Sequence, residues 1–202
     1  MRIIGGRFRG RPLLSVRGQK TRPTADRLRE TLFNILGPRV REAAVLDLFA
    51  GTGALGLEAL SRGAAFAAFV EIDRAALSVI QKNIDRCGLS DRAATVRCNA
   101  AAHLTPLTGL GRQFDLIFLD PPYGKALAPP ALTALLRGDL LTDNARLVVE
   151  HAPGDPVLPP SPDPHPTTRN PQLTDSHPPF TLTDRRKYGK TEISFLEVRG
   201  NR

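Results

Sequence analysis

Between Val45 and Gly56 the chain reads Val-Leu-Asp-Leu-Phe-Ala-Gly-Thr-Gly-Ala-Leu-Gly, and few folds accept residue types in that order. A short apolar run leads into closely spaced glycines, then into the helical pattern of Leu57 and Leu60. Buried strands are short and apolar, glycines let the backbone approach a neighbour closely, and a helix begins with unpaired N–H groups. The stretch therefore reads as strand, tight loop and helix, with the helix opening toward a ligand. Further apolar runs at about 66–71, 94–98, 114–119 and 145–150 alternate with helical periodicity at about 24–36 and 74–86. That alternation predicts an α/β fold with a parallel sheet. Two last strands are expected at 180–183 and 192–198, with Asp184–Lys190 as a basic loop between them.

Twenty residues after Gly51, Glu71 closes the run Phe66-Ala67-Ala68-Phe69-Val70. An acid there can accept hydrogen bonds from both hydroxyls of a ribose. Glycines plus a distant acid also mark dinucleotide-binding oxidoreductases, so two cofactor classes compete. Three details favour S-adenosylmethionine (SAM). Asp47 lies inside the first strand, four residues before Gly51, where its carboxylate can help to hold the amino end of a methionine. The loop Phe49-Ala50-Gly51-Thr52-Gly53 resembles the form found in SAM-dependent methyltransferases. The third detail is a second motif on what would be the neighbouring strand. Ile72, beside Glu71, and Asn99-Ala100, after the third strand, complete the cofactor candidates. Asn99 stands where many methyltransferases place an acid that reads adenine, and it can equally cap a helix.

The second motif is Asp120-Pro121-Pro122-Tyr123, at the end of the apolar run Phe114–Leu119. An exocyclic amine on a nucleobase is a poor nucleophile because its lone pair is delocalised into the ring. The Asp120 carboxylate and the Pro121 carbonyl could each take one N–H and leave that lone pair facing a methyl donor. Pro121 and Pro122 fix φ and stiffen the turn, and Tyr123 offers a flat face for a flipped base. Ligand sites in doubly wound sheets form outside the carboxyl ends of adjacent strands, so this motif and the glycine loop should meet.

Together these residues resemble the RsmD family, bacterial enzymes that methylate the N2 amine of a guanine in 16S ribosomal RNA. The resemblance covers Met1 to about Ala152 and resumes near Arg185. It is carried by Arg2-Ile3-Ile4-Gly5-Gly6, by Thr21-Arg22-Pro23-Thr24 with Arg27 and Arg29-Glu30-Thr31-Leu32-Phe33-Asn34, and by the two motifs above. It implies a Rossmann-like class I SAM-dependent methyltransferase with a seven-stranded, mostly parallel sheet. It further implies SAM as cofactor and the 16S rRNA of the small ribosomal subunit as substrate, with guanine 966 as the family target. The block containing Arg22, Thr24 and Asn34 would then lie near the cofactor's methionine carboxylate, although an arginine there could instead hold RNA phosphate. Two readings stay open beside it. One is an adenine-N6 methyltransferase of DNA or RNA, which can share Asp-Pro-Pro-Tyr; the other is a non-catalytic RNA-binding assembly factor.

Charge is unevenly spread. The chain carries a net +8, yet residues 1–41 hold eleven Lys and Arg against only Asp26 and Glu30. A basic arm over 1–23, ahead of a methyltransferase domain at 24–202, is the expected RNA-binding element, with Arg2, Arg7, Arg9, Arg11 and Lys20 as phosphate contacts. Ile3–Phe8 reads as a short strand and turn, so an ordered hairpin is expected. Arg186, in the basic loop near the C-terminus, is a further RNA candidate. Ten of the eighteen prolines fall in 153–180, which predicts an extended surface loop at 153–179.

The four histidines are scattered and Cys87 and Cys98 form no metal-ligand pattern, so no metal is expected. No membrane span or signal peptide is apparent, and two thiols without a disulfide framework fit a reducing cytoplasm. A monomer is expected.

Overall fold

The computed structural model describes residues 1–16, 23–160 and 180–198. Lys20, Arg22, the side chain of Thr24 and most of the proline-rich loop lie outside the described residues. Helix α1 spans Pro23–Leu36 and a short 3-10 turn follows it. Then come β1 (Ala44–Leu48), α2 (Ala54–Ser61), β2 (Phe66–Glu71), α3 (Arg74–Cys87) and β3 (Ala93–Arg97). The remaining elements are α4 (Thr105–Thr108), β4 (Phe114–Leu119), α5 (Ala128–Arg137), β5 (Leu141–His151), β6 (Phe180–Tyr188) and β7 (Thr191–Val198).

Seven strands form one sheet in the order β3-β2-β1-β4-β5-β7-β6. The first five neighbours are parallel, and β7 runs antiparallel to both β5 and β6. Strand order reverses between β1 and β4, and this is the switch point where a cleft opens. Side chains alternate across the sheet as the period of two demands. Val45, Leu116 and Phe118 face one core with α2 and α3, while Leu46, Leu48, Ile117 and Leu119 face the other with α5. Both faces are covered, which is why these strands read as near-continuous apolar runs, interrupted in β1 and β4 only by Asp47 and Asp115, rather than alternating ones.

Three boundaries differ from the sequence expectation. Strand β5 starts at Leu141 rather than 145, because Phe114 N–H donates to Leu140 O and draws that segment alongside β4. The polar Asp143 and Asn144 conceal this from a pattern of apolar residues. Strand β6 runs through Tyr188, so Arg186 lies in a strand and not in a loop. It is an edge strand, and charged residues suit an edge that faces water. The start of the proline-rich stretch is anchored: Val157 is buried in the α5-side core and Asp155 Oδ2 accepts Gly124 N–H at 3.0 Å.

The N-terminal segment does turn back on itself, but its strand pairing is a single bridge between Arg2 and Pro12. What holds it is Glu58, a fully buried carboxylate on α2. Glu58 accepts N–H bonds from Ile4 (2.7 Å) and Gly5 (2.8 Å) and pairs with Arg62 at 2.7 Å. Ile3 and Leu13 enter the core on the same face. Asn83 on α3 adds a second tether: its Oδ1 accepts Leu14 N–H, and its amide donates to Leu14 O and Thr52 O.

Removing a buried carboxylate strands the donors it served. Glu58→Ala is therefore expected to lower unfolding stability by about 3 kcal/mol, within the range for breaking a buried ion pair. Urea denaturation checks this, and a loss below about 1 kcal/mol would show that the segment is held elsewhere.

Candidate active site

Register decides where the two motifs meet. Leu48 of β1 pairs with Leu119 of β4, so Phe49 and Asp120 leave the sheet side by side. Both loops open into one cleft of about 880 Å³, a size that suits a cofactor. Phe49, Ala50, Gly51 and Thr52 line it from one side, and Asp120, Pro121, Pro122 and Tyr123 from the other. The expected convergence is present.

The glycine loop is strained where it must be. Phe49 has φ +62°, a left-handed conformation uncommon for a residue with a Cβ. Gly53 has φ +76° and caps α2. Gly56 lets that helix approach β2, since a Cβ there would lie 2.4 Å from the Phe69 ring. Asp47 Oδ2 accepts the Gly56 N–H at 2.9 Å, tying strand to helix. Burial pushes the Asp47 carboxyl up to about 7, the Gly56 bond opposes that, and Glu71 adds a smaller upward push. The carboxylate lines the cleft, where a cationic group would relieve it.

Glu71 is more engaged than its expected role suggests. Its Oε2 accepts Gly51 N–H at 2.9 Å, and its Oε1 accepts the N–H groups of Ile72 and Asp73. A carboxylate has about four lone-pair positions, so roughly one remains for a ribose hydroxyl. Ile72, 56% exposed, lines the cleft as a bare apolar side chain. Asn99 also lines it, and its Oδ1 accepts Ala101 N–H at 3.1 Å to close a turn; α4 begins only at Thr105, so Asn99 is not the helix cap that the sequence allowed. Ala100 is buried in the core behind the cleft.

On the opposite wall, no described residue hydrogen-bonds the Asp120 carboxylate. Surrounding protein, then the charges of Glu150 and Asp47, hold its carboxyl well above the usual carboxylate range. Asp120 still opens onto the cleft and is exposed, so water tempers that shift until the cleft is filled. Tyr123 keeps 44% of its surface exposed, while its hydroxyl lies 2.7 Å from Glu150 Oε1 and 2.8 Å from Thr191 Oγ1. Burial pushes Glu150 up as well, partly offset by the Tyr123 bond and by His151.

Several lining residues are not among the site candidates read from the sequence: Met1, Leu28, Arg29, Lys125 and Glu150. Met1 reaches the cleft because the N-terminal segment is docked, with Thr52 Oγ1 donating to its sulfur at 3.3 Å. Only the apolar period of α1 hints at Leu28. Glu150 closes an apolar strand much as Glu71 does, and that signal is readable. Asn34, by contrast, is exposed and lies outside the cleft lining.

Among the basic residues, Arg2, Arg7 and Arg9 are exposed and Arg11 is half-buried. Arg7 and Arg11 both lie over the Phe8 ring, at 5.5 and 5.0 Å. Arg2, Arg9 and Arg27 line a second, smaller hollow of about 340 Å³ together with Asp26 and Glu30. Arg186 is paired with Asp184 at 2.7 Å. Among the described residues no cluster of three metal-ligating side chains exists, and no helix is long and apolar enough to cross a membrane.

Comparison with known proteins agrees with this geometry. Residues 1–163 match the family described as conserved hypothetical protein 95. The ribosomal RNA small subunit methyltransferase D of Escherichia coli is 43% identical over 74% of each chain. That of Haemophilus influenzae is 38% identical over 79% of this chain and 83% of its own. The chain belongs to the RsmD family. The solved structure of the Escherichia coli protein yhhF superposes with a TM-score of 0.76 at 33% identity, covering 100% of this chain and 99% of that one. The fold is that of the Rossmann-like class I SAM-dependent methyltransferases, whose cofactor is SAM.

The residues present fit that cofactor. Asp47 has room beside its single N–H bond for a donor from the cleft, Ile72 supplies an apolar face, and Gly51 brings the backbone close. Asp47 also makes a prediction for the free protein. Its native carboxyl titrates near 7 against 3.8 for an ordinary Asp, so the native state holds an extra proton between those values. Stability from this group is full below about pH 4 and is lost as pH rises through about 7. Asp47→Asn keeps an acceptor for Gly56 and should flatten that fall, which thermal denaturation across the window measures. An unchanged slope would mean that Asp47 is ionised throughout.

Proposed function

We propose that this protein transfers a methyl group from SAM to the exocyclic N2 amine of a guanine in the 16S rRNA of the small ribosomal subunit, at the family's position 966. The observation that carries the reading is the shared cleft of the Gly51 loop and Asp120. Family membership supports the ribosomal substrate, and the names of the relatives speak of the small subunit. Work on ribosomes would place the protein in the cytoplasm, and we read it as a monomer.

The cofactor supplies an electrophilic methyl group on a sulfonium, so the protein's task is chiefly placement. Asp120 accepts from the base, the Pro121 carbonyl accepts the second N–H of the amine, and the lone pair is turned toward the methyl. Guanine favours an ionised Asp120 because N1–H and N2–H stand side by side, two donors for two carboxylate oxygens. Adenine would set the N1 lone pair against one of those oxygens. The target base has to be unpaired or flipped, since N2 lies on its pairing edge. Tyr123 then provides the stacking face, and Asp120 is the nearest base for the proton that the methylated amine releases.

The basic N-terminal face would meet RNA phosphate, with Arg7, Arg9 and the hollow beside Arg27 as the points of attachment. Lys20, Arg22 and Arg186 remain candidates on composition.

Two experiments test this reading. Asp120→Ala should cut methyl transfer to small subunits lacking the modification by at least a hundredfold, with SAM affinity retained. Digestion of the product should yield N2-methylguanosine. N6-methyladenosine would establish the adenine reading instead, and an Asp120→Ala rate within a few-fold of wild type would refute the mechanism. Replacing Arg7 and Arg9 with Ala should shallow the plot of log affinity against log salt by roughly 0.7–0.9 for each phosphate that the arginines neutralise. An unaltered slope would leave those residues as solubilising charges.

A further inference from the structure

A ring on a loop is a poor platform for a base unless something stops it swinging. Tyr123 sits on the loop after β4, and nearly half of it faces open space, so core packing does not account for its position. Its hydroxyl, however, touches two strands of the sheet. Glu150 belongs to β5 and Thr191 opens β7, and these strands pair antiparallel with Glu150 opposite Ile193. The ring is thus held at one end by the stiff Pro121-Pro122 backbone and at the other by the sheet.

Donor counting fixes the direction of both bonds. Glu150, when ionised, only accepts, so the single phenol proton goes to Oε1 at 2.7 Å. The phenol oxygen must then accept from the Thr191 hydroxyl at 2.8 Å. We infer that Glu150 and Thr191 are positioning residues that hold the Tyr123 ring as a fixed face for the target base. This rests on the stacking role proposed for Tyr123. Neither residue needs to touch the base. Glu150 acts through the phenol, whereas Asp120 acts on the base itself.

The clamp has a signature that mere structural support lacks. Tyr123→Phe keeps the ring and loses both bonds, while Glu150→Gln keeps an acceptor at the same place. We expect kcat/KM for unmodified small subunits to fall about tenfold in Tyr123→Phe and in Glu150→Ala, mostly through KM. Glu150→Gln should recover to within about threefold of wild type. The double variant Tyr123→Phe/Glu150→Ala should be no worse than either single one, because both remove the same interaction. Calorimetric SAM affinity should stay within twofold in all of them, which also reports that they fold.

A readout independent of turnover is at hand because the chain has only two tyrosines, Tyr123 and Tyr188. With 13C-labelled tyrosine, relaxation of the Tyr123 ring should show greater mobility in Glu150→Ala and in Thr191→Val, with Tyr188 unchanged. Tyr123→Phe and Glu150→Ala both within twofold of wild type, with Tyr123→Ala severely impaired, would overturn the clamp and leave stacking intact. An unimpaired Tyr123→Ala would sink the stacking role and the clamp with it.

Discussion

A carboxylate that cannot reach water organises one whole side of this molecule. Glu58 sits on α2 with no exposed surface, and burying such a charge is costly unless every lone pair is used. Two backbone N–H groups from the N-terminal segment and the Arg62 guanidinium meet that need. Arg29 approaches the same carboxylate at 3.7 Å and donates to Arg2 O, so α1 is drawn into the arrangement. The segment is therefore obliged to lie where it does, without a strand ladder of its own. Its docking carries Met1 to the cleft wall and sets Arg7 and Arg9 on the surface. The basic face and the cleft share one mechanical support.

The cleft shows a second use of carboxylates, with the opposite logic. Parallel strands all end on one edge, so Asp47 of β1, Asp120 after β4 and Glu150 of β5 face the same space. Surrounding protein raises each of them, least securely at the exposed Asp120, where the charges of Glu150 and Asp47 add to it, and few cations line the cavity to compensate. Cationic and N–H groups would ease that arrangement: an ammonium near Asp47, a sulfonium in the cleft, and base N–H donors at Asp120. The surroundings that raise these carboxyls are the same ones that would favour cationic and N–H-bearing ligands. The Glu58 charge is satisfied from within, whereas Asp47 and Asp120 face the cleft with acceptor positions to spare.

Much of this is legible in the sequence. The glycine loop, Glu71 and Asp120-Pro121-Pro122-Tyr123 stand out because local chemistry constrains them: a left-handed φ, a close approach, a proline-stiffened carbonyl. The parallel sheet follows from alternation, and both cores from the period of two. Interactions made across the chain are not legible. Nothing near Glu58 in the sequence says that its partners are Ile4 and Gly5, more than fifty residues away. Strand β6 is hidden past Thr183 because an edge strand needs no apolar face, and its charges look like a loop. Resemblance puts Asn34 near the cofactor, yet the helix period turns it to solvent.

The antiparallel end of the sheet has a functional reading for the same reason. A five-stranded parallel sheet would already position the glycine loop and Asp120, since these follow β1 and β4. Adding β7 against β5 sets Thr191 beside Glu150, and this pair reaches the Tyr123 hydroxyl. The turn at Gly189 and the pairing of Tyr188 with Thr191 bring the basic end of the last hairpin to the same edge. Behind it, the buried His151 Nε2 meets Ser194 Oγ at 2.9 Å, and Arg185 donates to that same hydroxyl, locking β5, β6 and β7 together. The parallel half of the sheet thus builds a cofactor cleft common to its fold, and the antiparallel half holds the Tyr123 hydroxyl, which would give the proposed face for the base its rigidity.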